Sequence, residues 1–216
     1  MSVSVSSVAA LIGINPFESQ EGAWLKRVRD RDPRLFDRLQ RSYPHLRTKT
    51  APDKRATLGP DTGTPAAPRC ERSKYTSDMV LRNTDTLAVQ YGRLQLKGVP
   101  DGHVEENGAL RVAIVKKRKT RLFGRVRLFE EVECHLYLYL VASRTSGCTI
   151  AGAVFIETCG DEEKAYHVEF DAAAVQKVLS YVERHVVHMD DLIATNDVDG
   201  IMLFVSGLKP LKLDEL

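Results

Sequence analysis

The sequence predicts an α/β (α+β) chain: a mixed central sheet flanked by helices, with an N-terminal helical region ahead of it. Three observations lead there. Apolar residues recur at helical spacing in the first forty residues, at Val8, Leu11 and Ile12, then Trp24, Leu25 and Val28, then Leu35, Phe36 and Leu39. Residues 94 to 115 instead alternate or run apolar in the manner of strands, with the turn-forming pair Asn107-Gly108 between two of them. From there the order is strand, strand, helix, strand, strand, helix, which a mixed sheet with helices on its faces accommodates.

Taken in order, Ser6 or Ser7 can cap a first short helix that stops at Gly13 and Asn15-Pro16, because the residue before a proline is pushed out of the helical region. Ser19, with Glu21 in the first turn, opens a second helix. Asp32-Pro33 announces a third, since proline fits the first helical position, where its missing N–H is not needed. Residues 1–47 form the helical region, and 48–70, rich in Thr, Pro, Ala, Gly and charge, read as a flexible loop or linker.

The core is expected over 71–189. Leu94 and Leu96 alternate with Gln95 and Lys97 as a half-buried strand on the outgoing limb of a hairpin, and Leu110 to Val115 is the returning strand. Glu130 to Ala142 has one apolar face, at Val132, Leu136 and Tyr139 or Leu140, and reads as a helix. Thr149 to Thr158 is a buried strand, a turn follows at Gly160-Asp161, and Ala165 to Phe170 alternates as another strand. Asp171 caps a helix to about Met189, and 190–216 is an extension with an apolar run at Ile201 to Val205 that packs on the domain or meets a partner.

The 216 residues suit one domain with a short extension, and a net charge of +2 excludes a bulk polycation. The charge is uneven, however: from Lys116 to Arg127 there are many lysines and arginines and no acid. Such a strip fits a phosphate backbone, an acidic protein surface or a solvated charge run. Cys70, Cys134, Cys148 and Cys159 are scattered, without Cys-x-x-Cys spacing or a secretory signal, and are expected as reduced thiols in an intracellular, cytoplasmic or nuclear, setting. His185 and His188, three apart on a helix, lack a third ligand nearby and read as ordinary helix histidines rather than metal ligands. No apolar run is long enough for a membrane span, so no membrane partner is expected.

Strand geometry sets the candidate site. Side chains on a strand share a face at every second residue, so Val112, Ile114 and Lys116 lie together. Asp101, at a Pro-Asp-Gly kink on the other limb, can converge with them; equally, Pro-Asp-Gly is ordinary turn chemistry. Glu133 and Tyr137, four apart, project from one side of the following helix, where Tyr137 is either a site residue or a core aromatic.

Asp101-Gly102, Lys116, the basic segment Lys117-Arg118 through Leu122-Phe123-Gly124-Arg125-Val126, Tyr137 and the N-terminal Gly13-Ile14-Asn15-Pro16-Phe17 together resemble the YqaJ-like viral recombinases, relatives of the lambda-type exonucleases. The resemblance spans roughly residues 6 to 180 and implies a restriction-endonuclease-like, PD-(D/E)xK core. It also implies a virus-encoded, metal-dependent exonuclease or recombination nuclease acting on double-stranded or single-stranded DNA, alone, as a homo-oligomer or with a recombination partner. By the same resemblance Asp101 and the carbonyl of Val115 hold Mg²⁺ or Mn²⁺, and Lys116 positions the nucleophile or stabilises developing charge. Lys117, Arg118, Arg121, Arg125 and Tyr137 contact DNA, and Asn15, Pro16 and Phe17 wall the DNA channel or simply stop a helix.

Two positions depart from the pattern. Ile114 stands where the metal-binding Glu belongs, and Glu133 replaces the Gln. Phosphodiester hydrolysis in such sites needs carboxylates to hold the ions that polarise phosphate and generate hydroxide, so the missing Glu bears on catalysis directly. Glu133 could supply the carboxylate from the helix as a catalytic residue, and Glu71, Asp61 and Asp78 are candidates for the further carboxylate the family carries ahead of the hairpin. Three readings follow: an active nuclease, a pseudonuclease that binds DNA without cutting, and a protein-interaction scaffold.

Overall fold

Short polar side chains start most of the helices. The structure, a computed structural model, describes residues 1–46, 86–106, 109–145 and 149–213. In it Ser19 Oγ accepts the Gly22 amide at 3.0 Å to open α2 (Gln20–Arg31), and Asp32 Oδ1 accepts the Leu35 amide at 2.9 Å to open α3 (Pro33–Ser42). Ahead of them, β1 (Ser2–Ser4) leads directly into α1 (Val5–Leu11), whose N-cap is Ser4 rather than Ser6 or Ser7. The earlier start has a physical reason: Val5 is itself buried, so the helix begins as soon as the strand ends.

Two sheets follow. The first orders β1, β3 (Leu94–Gly98) and β2 (Leu87–Tyr91), with β1 parallel and β2 antiparallel to β3. The second orders β4 (Gly102–Glu106), β5 (Ala109–Lys117), β6 (Ile150–Cys159) and β7 (Glu162–Val168). Within it β5 and β6 run parallel and the outer pairs antiparallel. A parallel neighbour needs a long crossover, and α4 (Leu128–Ala142) lies within it. The predicted outgoing limb is therefore corrected: Leu94 and Leu96 belong to the first sheet, and the limb that pairs with β5 is β4. Pro100 offers no N–H to a ladder, and the chain changes sheets there.

Alternation along β5 sorts its side chains. Val112 and Ile114 enter the main core with Leu136 of α4, while Ala113 joins Val104, Val154 and Ile156 in a small cluster on the opposite face. That main core also takes Trp24, Leu35 and Leu39 from the N-terminal helices, so these are part of the same packed body as the sheet. Removing a side chain such as Leu39, which has no exposed surface, should cost about 2–5 kcal/mol.

The C-terminal boundary also shifts. Asp171 caps α5 through the Ala174 amide at 2.9 Å, but the helix runs on to Ala194, so a division at residue 190 falls inside it. There Asp190 pairs with Arg27 and Arg31 of α2, both at 2.8 Å, which ties this end of α5 to the N-terminal helices. After it α6 (Val198–Ser206) buries Ile201, Met202 and Val205, and the Leu211 amide donates to the Ile12 carbonyl at 2.8 Å. The apolar run at 201–205 therefore packs on the domain through one face, while Leu203 points away and is 78% exposed. Cys134 and Cys159 are free thiols. The predicted linker 48–70, Glu71, Asp61, Asp78, Cys70, Cys148 and the Asn107-Gly108 turn lie outside the described residues.

Candidate functional site

Asp101 stands one step beyond the Gly102–Ala113 pair, opposite Ile114, and its Oδ2 accepts the Val115 amide at 2.7 Å. Across from it, Lys116 leans from β5 toward α4, where its Nζ lies 2.9 Å from Oε1 and 2.7 Å from Oε2 of Glu133. Tyr137 is one turn further along α4 and buried; Cε1 lies so near Gly98 that a Cβ there would stand 2.8 Å away. Burial, then the charges of Glu133 and Asp101, push its phenol up to about 12, so it stays a neutral hydroxyl. Asp101, Lys116, Glu133 and Tyr137 thus do come together around the start of β4.

Ile114 matters for what it fills. Only 1% exposed, it packs in the main core. No ligating atom stands at that position. Of the remaining donors, Asp101 has one oxygen on a backbone amide and Glu133 has both oxygens on an ammonium. Among the described residues no group of three or more His, Cys, Asp or Glu could hold a metal ion. Mg²⁺ demands near-octahedral oxygen coordination, and the donors among the described residues do not by themselves supply it. His185 and His188 do not change this, because His185 Nδ1 sits 2.8 Å from the Tyr181 carbonyl and its ring stacks on Tyr181 at 3.9 Å.

A second cluster lies beside the first, and the sequence did not reveal it. Glu157 of β6 is the register partner of Lys116 and has 0% exposure; Glu130 in the first turn of α4 is almost as buried. Between them sits Arg118. Its Nε donates to Glu157 Oε1 at 2.7 Å, and its Nη2 reaches Glu157 Oε1 and Glu130 Oε1, both at 2.6 Å. Oε2 of Glu157 accepts the Phe123 amide at 3.1 Å and the Tyr166 hydroxyl at 3.4 Å. Glu130 also takes the Arg127 amide at 3.1 Å and Arg127 Nη2 at 2.7 Å. Burial alone would raise the Glu130 carboxyl, but the hydrogen bonds from Arg127 and Arg118 outweigh it and hold Glu130 below its ordinary value.

The effect is to fasten the basic segment 118–127, which has neither helix nor strand, at its start, middle and end. Arg118, expected to contact DNA, anchors the loop in this structure: its charge is matched by two carboxylates. Lys117, Lys119, Arg121 and Arg125 are the reverse case. All are exposed, and none has an ion pair among the described residues. Arg127 lies between the two kinds, with its guanidinium 4.1 Å from the Phe123 ring centre, 4.6 Å from Phe129 and 5.7 Å from Phe17. Phe17 is reached through Asn15, whose Oδ1 accepts the Phe17 amide at 2.9 Å and turns the chain after α1. One signal could have exposed the second cluster: an acid at position 157 within an otherwise apolar buried strand requires a cationic partner.

No family model and no curated protein matches this chain. Among solved structures, the chain described as "Crystal structure of SSO0001" aligns at a TM-score of 0.44 and 11% identity, over 85% of this chain and 75% of that one. No helix among the described residues is long and apolar enough to cross a membrane.

Proposed function

We propose that this protein is a pseudonuclease: a restriction-endonuclease-like scaffold of the YqaJ or lambda-exonuclease kind that holds DNA on its basic loop without cutting it. The connectivity hairpin, helix, parallel strand, with Asp101 at the head of one hairpin strand and Lys116 near the end of the other, is what such a core requires. The observation that carries the reading is the contrast between Lys116 and its loop neighbours. Lys116 is neutralised by both oxygens of Glu133 beside the buried Ile114, while Lys117, Lys119, Arg121 and Arg125 are exposed and without an ion pair among the described residues. A site with Ile114 at the position of the motif carboxylate, next to cations on a fixed loop, supports binding over hydrolysis.

The test follows linear DNA with Mg²⁺ or Mn²⁺, scoring binding and cleavage in the same samples. Binding that weakens steeply with salt, with no cleavage by the wild type, is the expected result. Cleavage by the wild type that Asp101→Ala abolishes would restore the active-nuclease reading and send the search for a carboxylate back to Glu133→Gln. Absence of both would leave the scaffold reading. Ile114→Glu adds a buried carboxylate, so its fold is checked by circular dichroism before any gained cleavage is interpreted.

A further inference from the structure

We infer that the DNA taken by this loop is single-stranded, and that Phe17 and Phe123 are the platforms on which its bases stack. This rests on the binding reading above and adds the form of the nucleic acid. Phe17 is 76% exposed and Phe123 43%; Leu203 and Phe170 are as exposed, but Phe17 and Phe123 are the exposed rings that lie beside Arg127 of the basic segment. Neither is loose. Phe17 stands edge-on to Phe129, with ring centres 6.0 Å apart and planes at 89°, and Phe123 is held by its own amide on the buried Glu157. Arg127 lies near both rings, 5.7 Å from the centre of Phe17 and 4.1 Å from that of Phe123.

The neighbouring charges decide the occupant. Counting from the last residue of β5 along the loop, Lys117, Lys119, Arg121, Phe123, Arg125 and Arg127 occupy every second position, and all but Arg127 are exposed. Exposed cations on either side of an exposed aromatic ring in one segment complement a ligand that carries both anionic phosphates and flat π-faces. A single strand offers both. A duplex offers its phosphates to the cations but keeps its base faces stacked inside, so it has no use for exposed rings. Stacking needs no sequence, and the preference is for single strands as such rather than for a particular base order.

Fluorescence anisotropy with a labelled oligothymidylate and a blunt duplex of equal length tests this on the full chain. Phe17→Ala and Phe123→Ala are each expected to weaken oligothymidylate binding about tenfold while duplex binding stays within about twofold. Phe17→Leu, which keeps an apolar side chain but no ring, is expected to lose as much as Phe17→Ala, and Phe17→Trp to retain binding and show quenching by the strand. Both ring positions are surface positions, so the variants should fold; unchanged circular dichroism verifies it. Equal losses on both DNAs, or no loss on either while Arg125→Gln still weakens binding, would overturn the stacking inference and leave the DNA-binding reading standing. Failure of the wild type to bind any DNA would overturn both.

Discussion

Arg118 and Arg121 lie three residues apart on one loop and meet opposite fates. Arg118 is drawn inward between Glu130 and Glu157, with two of its nitrogens on carboxylates and its guanidinium 4.7 Å from the Phe123 ring centre. Arg121 is exposed and has no ion pair among the described residues. In sequence both belong to one undivided basic strip. The difference teaches that charge in such a strip has two uses, one fixing the loop and one left over for a ligand, and that the buried acids decide which residue serves which.

The largest expected effect comes from breaking the inward set. Glu157→Ala removes the shared acceptor of Arg118, the Phe123 amide and Tyr166, leaving a guanidinium buried with half its partners. Truncating one member of such a buried pair destabilises by about 3–5 kcal/mol. Urea unfolding should therefore show a lower midpoint with little change in slope. The double replacement Arg118→Met with Glu157→Leu should be milder than Glu157→Ala alone, because it strands no charge. A Glu157→Ala variant as stable as wild type would erase the distinction between the two arginines.

How much of the fold and the site is legible in the sequence depends on range. The caps at Ser19, Asp32 and Asp171 are visible because capping is local: the acceptor and the amide it meets are three residues apart. Likewise strand periodicity puts Ile114 and Lys116 on one face with Asp101 within reach, whereas only the family resemblance places Glu133 beside them. The assignment of Leu94 and Leu96 to a separate sheet with β1 is not legible, since a three-residue strand at Ser2–Ser4 carries no pattern and its partner is about ninety residues away. Arg118 escapes the sequence for the same reason: Glu157 lies thirty-nine residues on, and nothing in a run of cations shows which one a distant acid will claim.

A smaller effect separates the two regions by pH. Glu130 is held below the ordinary carboxyl value of 4.5, so its contribution is present above that value and is lost as pH falls through its lower folded-state value. Burial lowers His135, against the opposing charges of Glu131 and Asp171, and burial likewise lowers His185. For these the unfolded chain takes up protons first, so stability declines as pH falls from 6.5 toward the folded values and levels off below them. Acidification should thus weaken the fold in two stages, the upper flattened by His135→Gln or His185→Gln and the lower by Glu130→Gln. Exposed Arg121 and Arg125 should leave both stages untouched, and urea midpoints across pH measure each.

The smallest effect on stability is expected where the effect on binding is most informative. Arg121→Gln and Arg125→Gln remove exposed cations, and substitutions of that kind usually change stability by less than about 0.5 kcal/mol. Their consequence lies in the salt dependence of DNA binding. Removing one cation that neutralises a phosphate should make the plot of log affinity against log salt shallower by about 0.7 for a single strand and about 0.9 for a duplex. Arg118→Gln should do the opposite in kind: it lowers stability and leaves the slope per bound molecule unchanged, because its charge is already matched by Glu130 and Glu157. If instead Arg118→Gln flattened the salt plot while Arg121→Gln did not, the inward arginine would be the one meeting phosphate. Glu157 would then have to release it on binding, and the loop would open rather than stay fastened.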